Sequence, residues 1–291
     1  TQHLQSTLNA SEAILLCQPE DIHYYSGFDC LVSSEREAFL VITATQVHLL
    51  YASFSPTVTV FDDIVLRKGV FLSQVAQHLK EIQALEPFST LHCDFDHLLH
   101  SEYTQLAETA SFTISPLDRE TITTQRALKD KNERQHIAKA TGITTKVLEW
   151  IPSQFAEGVT EAQLTTKIYQ KMLELGSDIT PAFPAIVAFG EHSALPHHQP
   201  TDTPLTPNTA ILIDIGARYK SYCADMTRTF WFGDTPDSEF IQIESIVQKA
   251  YAAAVTQLEK LEDDITAQSI DEAARSVITE AGFGNQYIHT T

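Results

Sequence analysis

The chain has 291 residues, of which 43% are hydrophobic and 20% are charged, and this composition excludes intrinsic disorder and provides for a full core. Its formal net charge of −19 excludes nucleic acid as a partner, because few basic side chains are present to replace phosphate counterions. The apolar runs are too short to span a bilayer, and the four cysteines show no CxxC spacing. We therefore predict a protein of a reducing cytoplasm without a membrane segment.

The first 120 residues show the pattern of a mixed α/β domain. Short apolar runs alternate with turn signals between residues 14 and 51, and they predict strands in AILLC, IHYYSGF and AFLVITATQVHLLY. Apolar side chains recur at helical spacing over 70–84, and TLHCDFDHL predicts another strand. We assign 1–120 to this domain and 121–131 to a connector.

A second domain is predicted over 132–291. Its first helix has an apolar stripe that stops at Pro152, formed by Ile137, Ala140, Thr144, Val147 and Ile151. A capping box of Thr160 and Gln163 begins the next helix, which Gly176 ends. The remaining predicted elements are a strand over 181–190, a hairpin over 211–232 and helices over 237–261 and 269–281.

The hairpin ILIDIGARYKSYCADMTRTFWF carries an aspartate inside each strand. Aspartate is depleted in strands, and an unpaired buried carboxylate is costly. A turn centred between Tyr219 and Lys220 would make Asp214 and Asp225 direct partners, with Cβ atoms about 4.5 to 5.5 Å apart. Such carboxylates repel each other unless one is protonated or a cation lies between them. The pattern indicates a divalent cation, manganese or magnesium before copper, or else a register that differs by one residue or aspartates that face water.

Three histidines are further candidates. His197 and His198 lie in a polar, proline-rich loop, and His289 follows the aromatic stretch FGNQY. Imidazoles at these places are either solvated or structural, or they donate a hydrogen bond to a carbonyl or a developing oxyanion. The sequence has no glycine-rich phosphate loop and no GxSxG elbow, so nucleotide binding and serine hydrolysis of that type are unsupported.

The run FPAIVAFGEHSALPHHQPTDTPL, followed by LIDIGARYKSYCADMTRTFWFG, strongly resembles the Xaa-Pro peptidases of the creatinase and aminopeptidase P family. CQPEDIHYYSGF and CDFDHLLHSEYTQL resemble segments of that family's N-terminal domain, so the resemblance covers essentially the whole chain. It implies an α/β (α+β) fold in which a creatinase-type N-terminal mixed α/β domain precedes a partial pita-bread domain.

The resemblance also implies roles for four residues. Asp214 would be a bidentate ligand of one metal ion, and Asp225 would bridge two. His197 matches the family's catalytic histidine, which contacts the substrate and helps to stabilise the tetrahedral intermediate, and His289 matches a histidine close to the substrate. The implied cofactor is a pair of divalent ions, manganese first and cobalt or zinc as alternatives. The implied partners are proline-containing peptides and a second copy of the chain in a homodimer.

The family completes its site with one histidine and two glutamates that would follow Thr291. We therefore expect the C-terminal part of the pita-bread domain to be missing, and this chain alone to bind one ion weakly or none and to be inactive. Aminopeptidase P and prolidase (Xaa-Pro dipeptidase) activity both stay open, whereas intact Asp214 and Asp225 argue against a creatinase-like enzyme. The alternative from another class is a non-catalytic pita-bread module used for binding.

Overall fold

The computed structural model describes residues 1–30, 35–55, 60–260 and 265–290, except for the side chain of Leu72. These residues form two units, the first spanning Thr1–Asp130 and the second beginning at Lys131. The predicted helix end at 261 and Thr291, the last residue of the predicted second domain, lie outside the described residues.

The first unit contains a six-stranded sheet within the described residues. Its strands are β1 (Glu12–Leu16), β2 (Ala38–Thr43), β3 (Val47–Tyr51), β4 (Ile64–Lys68), β5 (Thr90–Cys93) and β6 (Thr113–Pro116). They lie in the order β4-β3-β2-β1-β5-β6, with β2 antiparallel to both neighbours and the other pairs parallel. The helices are α1 (Gln2–Ser6), α2 (Pro19–Ser26), α3 (Leu72–Leu85), α4 (His100–Thr109) and α5 (Glu120–Ala127).

Both faces of this sheet are covered by helices. Alternate residues of a strand point to opposite faces, and Leu15 of β1 packs in one core with Leu79 of α3. Its neighbour Ile14 packs in a second core with Ile22 of α2 and Ile122 of α5. Burial on both faces explains why β1 and β2 are nearly continuous apolar runs. The predicted strands AILLC and AFLVITATQVHLLY and the predicted helix over 70–84 are confirmed as β1, as β2 with β3, and as α3.

The strand predicted in IHYYSGF is wrong, because this segment belongs to α2. Pro19 lies in the first turn, where its missing N–H has no cost, and Glu20 and Asp21 place negative charge near the helix N-terminus. Gly27 ends the helix with a left-handed φ of 77°. These start and stop signals outweigh the β propensity of the two tyrosines between them.

The range predicted as a connector, 121–131, is mostly helical. It is largely covered by α5, and Ile122 of that helix is fully buried in the core of the first unit. The boundary between the two units falls after Asp130.

The second unit contains a three-stranded antiparallel sheet in its described part. Its helices and strands are α6 (Lys131–Trp150), α7 (Glu161–Glu174), β7 (Ile186–Phe189), β8 (Thr209–Ile215), β9 (Arg218–Tyr219), β10 (Tyr222–Cys223), β11 (Met226–Phe232), α8 (Ser238–Leu258) and α9 (Ala267–Glu280). The sheet order is β11-β8-β7, and the short pair β9 and β10 continues the hairpin. Short 3-10 helices span Ile151–Gln154, Gly190–Ala194 and Gly284–Gln286.

The predicted stripe of α6 packs against this sheet, where Val147 and Ile213 share one core. Thr144 is fully buried on the same stripe. Its hydroxyl donates to the carbonyl of Ala140 at 3.0 Å and accepts the amide N–H of Ala217 at 3.0 Å, so it ties the helix to the hairpin.

The predicted capping box at the start of α7 is confirmed. The amide of Gln163 donates to Thr160 Oγ1 at 3.2 Å, and the amide of Thr160 donates to the side-chain oxygen of Gln163 at 3.1 Å. The last two helices, α8 and α9, pack on each other through Ala250, Ala254 and Ala274. In the described ranges, none of the helices has the length and apolar composition that crossing a bilayer requires.

Candidate functional site

The hairpin that carries the two aspartates turns between Lys220 and Ser221, one residue later than predicted. Both residues have positive φ, 48° and 67°, as a two-residue type I′ turn requires. Asp214 consequently pairs with Thr227, so its predicted direct pairing with Asp225 is wrong. A partner shift of two residues keeps the alternation of side chains, and both aspartates still belong to one face.

Strand pairing is interrupted next to the aspartates, and Gly216 makes the interruption possible. A Cβ atom at this position would lie 2.0 Å from the carbonyl oxygen of Ala224 and 2.8 Å from the Cβ of Ala182. The amide of Ala224 donates to the carbonyl of Ala217 at 2.9 Å, which fixes the close approach of the two chain segments. The absence of a side chain at Gly216 therefore lets Asp225 come close to Asp214.

Replacing Gly216 by alanine is expected to lower the free energy of unfolding by about 3 kcal/mol, the upper part of the usual range for overpacking. The new methyl group would meet a backbone carbonyl, which cannot move aside as a flexible side chain can. Gly142→Ala is the matched control, because Gly142 lies within α6 and the added Cβ would have no atom within 4 Å apart from the adjacent backbone of its own helix. This control should gain about 1 kcal/mol from helix propensity. Urea unfolding followed by tryptophan fluorescence measures both, and equal effects would contradict the close-approach explanation.

The carboxyl group of Asp214 is half-buried and incompletely satisfied. Burial raises its pKa above the ordinary value, a hydrogen bond with Thr227 opposes that change, and the neighbouring carboxyl of Asp225 raises the pKa again. Asp214 Oδ1 is buried and has no hydrogen-bond partner. Buried polar atoms are nearly always paired, so an orphaned oxygen beside a second carboxylate fits a ligand of a divalent cation. Carboxylate oxygens suit Mg²⁺, Mn²⁺ and Zn²⁺.

The two histidines implied as catalytic are both exposed. His197 lies in the loop that follows the short helix Gly190–Ala194, and His289 lies close to the end of the described chain. Nδ1 of His289 lies 2.6 Å from the carbonyl oxygen of Thr290, and its own carbonyl accepts a hydrogen bond from Arg275 at 3.0 Å. In the described ranges, no hydrogen bond or ion pair joins either histidine to the two aspartates. The structure thus brings the two aspartates together, and neither histidine is hydrogen-bonded to them within the described residues.

A second cluster consists of Glu161, His192 and His198, of which only His198 was a candidate from the sequence. Glu161 is the first residue of α7 and is fully buried. His192 Nδ1 lies 2.8 Å from Glu161 Oε1, and His198 Nε2 lies 2.9 Å from Glu161 Oε2. The two imidazole rings stack with centroids 4.3 Å apart. A glutamate in a first helical turn usually faces water, so no sequence signal indicated this burial.

The Glu161 cluster has the residue types of a metal site, yet its carboxylate is already saturated. Besides the two histidines it accepts the amide N–H of Phe189 at 2.8 Å, the amide N–H of Thr201 at 2.9 Å and the hydroxyl of Thr201 at 2.7 Å. Burial acts to raise the pKa of Glu161, but the hydrogen bonds from His198, His192 and Thr201 outweigh burial and lower the pKa to about 2. A carboxylate with this many hydrogen-bond donors fits a structural role better than a role as a cation ligand. Asp214, by contrast, retains an oxygen without a hydrogen-bond partner.

Family models match both units of the chain. The model of metallopeptidase family M24 matches residues 135–291, and the model of the creatinase/prolidase N-terminal domain matches residues 2–128. An uncharacterized peptidase of Staphylococcus saprophyticus is 31% identical over 294 residues, an alignment that covers 99% of this chain and 80% of that protein.

Solved structures support the same assignment. A prolidase from Pyrococcus horikoshii superposes with a TM-score of 0.83 at 25% identity, covering 99% of this chain and 79% of that one. An Xaa-Pro dipeptidase from Bacillus anthracis superposes with a TM-score of 0.80 at 25% identity, covering 96% and 76%. The predicted fold class, a creatinase-type N-terminal domain followed by a pita-bread domain, is confirmed. The chain belongs to metallopeptidase family M24.

Proposed function

We propose that the protein hydrolyses peptide bonds that precede proline, as an Xaa-Pro dipeptidase or an aminopeptidase P. The observation that carries the proposal is the pair of Asp214 and Asp225 on one hairpin face, with a buried oxygen of Asp214 left unpaired in a chain of a metallopeptidase family. The names of the two structural neighbours, prolidase and Xaa-Pro dipeptidase, support this substrate class.

In this proposal Asp214 and Asp225 hold a pair of divalent metal ions, manganese first and cobalt or zinc as alternatives. Divalent ions held by these two carboxylates would lower the pKa of a coordinated water molecule toward neutrality and would polarise the scissile carbonyl. The exposed imidazole of His197 donates a hydrogen bond to the oxygen on which negative charge develops, and His289 contacts the substrate. A peptide bond before proline requires a specialised peptidase, because the proline ring fixes φ and its nitrogen carries no N–H that an ordinary peptidase could bind.

The setting we propose is cytoplasmic, with proline-containing peptides as substrates and a homodimer as the assembly. Cys17, Cys30 and Cys93 are free thiols, which fits a reducing compartment. Light scattering of the purified protein measures the assembly directly.

The test is a peptide panel with the full-length protein, stripped of metal by a chelator and reloaded with Mn²⁺, Co²⁺ or Zn²⁺. We expect hydrolysis of the dipeptide Ala-Pro or of the tripeptide Ala-Pro-Ala after reloading, and none of the matched peptides Ala-Ala and Ala-Ala-Ala. A preference for the dipeptide assigns an Xaa-Pro dipeptidase, and cleavage of the tripeptide assigns an aminopeptidase P. Bound metal without turnover of any X-Pro peptide would contradict the proposal and favour a binding module.

A further inference from the structure

The carboxylate of Glu161 connects three separate parts of the second unit. It accepts the amide of Phe189, the last residue of β7, at 2.8 Å, and it contacts His192 in the following 3-10 helix. On its other oxygen it contacts His198 and both the amide and the hydroxyl of Thr201. The helix N-terminus, the strand end and the loop over 195–201 are therefore fixed to one buried group.

His198 occupies the middle of this arrangement. Its ring is buried, stacks on His192 with centroids 4.3 Å apart, and contacts Glu161 through Nε2 at 2.9 Å. Its amide donates to the carbonyl of Leu195 at 3.1 Å, which closes a turn around the preceding residue. That preceding residue is His197, whose side chain is exposed. Anchoring His198 on one side thus fixes the backbone from which His197 projects.

We propose that Glu161 is a positioning residue that acts through His198 and Thr201 to hold the imidazole of His197 in place for hydrolysis. The proposal rests on the function proposed above, in which His197 contacts the reacting carbonyl. A side chain on a loop is not held within a fraction of an ångström, as catalysis requires, unless further contacts restrict the movement of the loop. His192 before this loop, His198 within it and Thr201 at its end all contact the same carboxylate, which supplies those contacts.

A metal ion at Glu161, His192 and His198 is the competing interpretation. It would have to share carboxylate oxygens that already accept the amides of Phe189 and Thr201. The two interpretations differ in a measurable way, since a positioning residue leaves the metal content of the protein unchanged when it is replaced.

The experiment compares Glu161→Gln, His197→Ala and the double variant in the full-length, metal-loaded protein. We expect Glu161→Gln to lower kcat for an X-Pro peptide by about 10- to 100-fold with little change in KM, because a small misplacement of a catalytic group can cost that much. In the His197→Ala background the same substitution should have almost no further effect. Glu174→Gln, which removes an exposed carboxylate at the other end of α7, is the control and should leave kcat unchanged.

Hydrogen exchange supplies a readout that does not depend on activity. Amides of 195–201 should exchange faster in Glu161→Gln, while those of β8 and β11 stay as in the parent protein. Thr201→Val, which removes one hydroxyl donor and leaves Glu161 in place, should shift exchange and kcat in the same direction by less, and it serves if Glu161→Gln does not fold.

Three results would overturn the proposal: unchanged exchange of 195–201, fully additive losses in the double variant, or the loss of one bound ion per chain in Glu161→Gln. If the parent protein cleaves no X-Pro peptide, the proposed function fails by itself. Faster exchange of 195–201 would then still show that Glu161 holds the loop, but the claim that it positions His197 for hydrolysis would be refuted.

Discussion

In the full-length protein, Asp225→Asn is expected to lower kcat/KM for an X-Pro peptide by about 10³-fold or more and to reduce the bound metal. A metal ion contributes several kcal/mol of charge stabilisation to such a reaction, and each 1.36 kcal/mol corresponds to about tenfold in rate. An amide removes the negative charge that the cation requires, and Asp214 would remain as the single carboxylate of the pair on the hairpin. Kinetics together with the metal content of the purified protein measure the effect.

The same substitution should not lower the stability of the metal-free protein. Without a cation, the carboxyl of Asp225 raises the pKa of Asp214, so the two groups repel each other when both are ionised. Asp225→Asn should therefore leave the metal-free protein as stable or slightly more stable, and should abolish the stabilisation that added metal gives. Asp234→Asn, an exposed aspartate just after β11, is the control and should change neither quantity. Full metal binding and activity in Asp225→Asn would exclude Asp225 as a ligand.

The hairpin shows which features of the aspartate pair could be predicted from the sequence and which could not. Side-chain alternation has a period of two, so the shared face of Asp214 and Asp225 could be predicted from the spacing of the strands. The register could not, because RYKSY contains no Asn-Gly or Asp-Gly signal to locate the turn. Lys220 and Ser221 adopt positive φ only because the paired strands on both sides impose that turn.

Helix boundaries could be predicted where a local signal exists, as at the capping box of Thr160. Pro19 and Gly27 are signals of the same kind, but the strand prediction for IHYYSGF gave more weight to its tyrosines than to them. Glu161 could not be found in this way. Its partners lie 28 to 40 residues away in the chain, so its burial is a tertiary property. Local sequence patterns do not indicate a buried carboxylate of this kind, even where it holds several chain segments together.

Asp21 is a second carboxylate of this kind, and Asp21→Asn is expected to destabilise the first unit by about 3–5 kcal/mol. Asp21 is fully buried on α2. Its Oδ1 accepts from Arg126 Nη1 at 2.7 Å, and its Oδ2 accepts from Arg119 Nη2 at 2.8 Å. An asparagine of the same shape would turn its NH₂ group toward a guanidinium and leave positive charge uncompensated.

Hydrogen exchange of the β1 and β2 amides is the appropriate measurement, because Trp150 and Trp231 both lie in the second unit and their fluorescence does not report on this core. Asp271→Asn is the matched control. It breaks the partly exposed ion pair of Asp271 with Arg275 on α9, and because α9 belongs to the second unit its effect is measured on the amides of α9, which should exchange almost as in the parent protein. Equal small effects in both variants would show that the buried network contributes no more than a surface pair.

A double variant separates charge from packing at Asp21. Arg119 also contacts the carboxylate of Asp94 and the side chain of Gln18, whereas the ion pair of Arg126 is with Asp21. Adding Arg126→Met to Asp21→Asn removes the guanidinium that the single variant leaves unpaired, so the double variant should be more stable than the single one. If the double variant is instead less stable, the contribution of Asp21 comes from the packing of α2 against α5, and the buried charges have no net effect of their own.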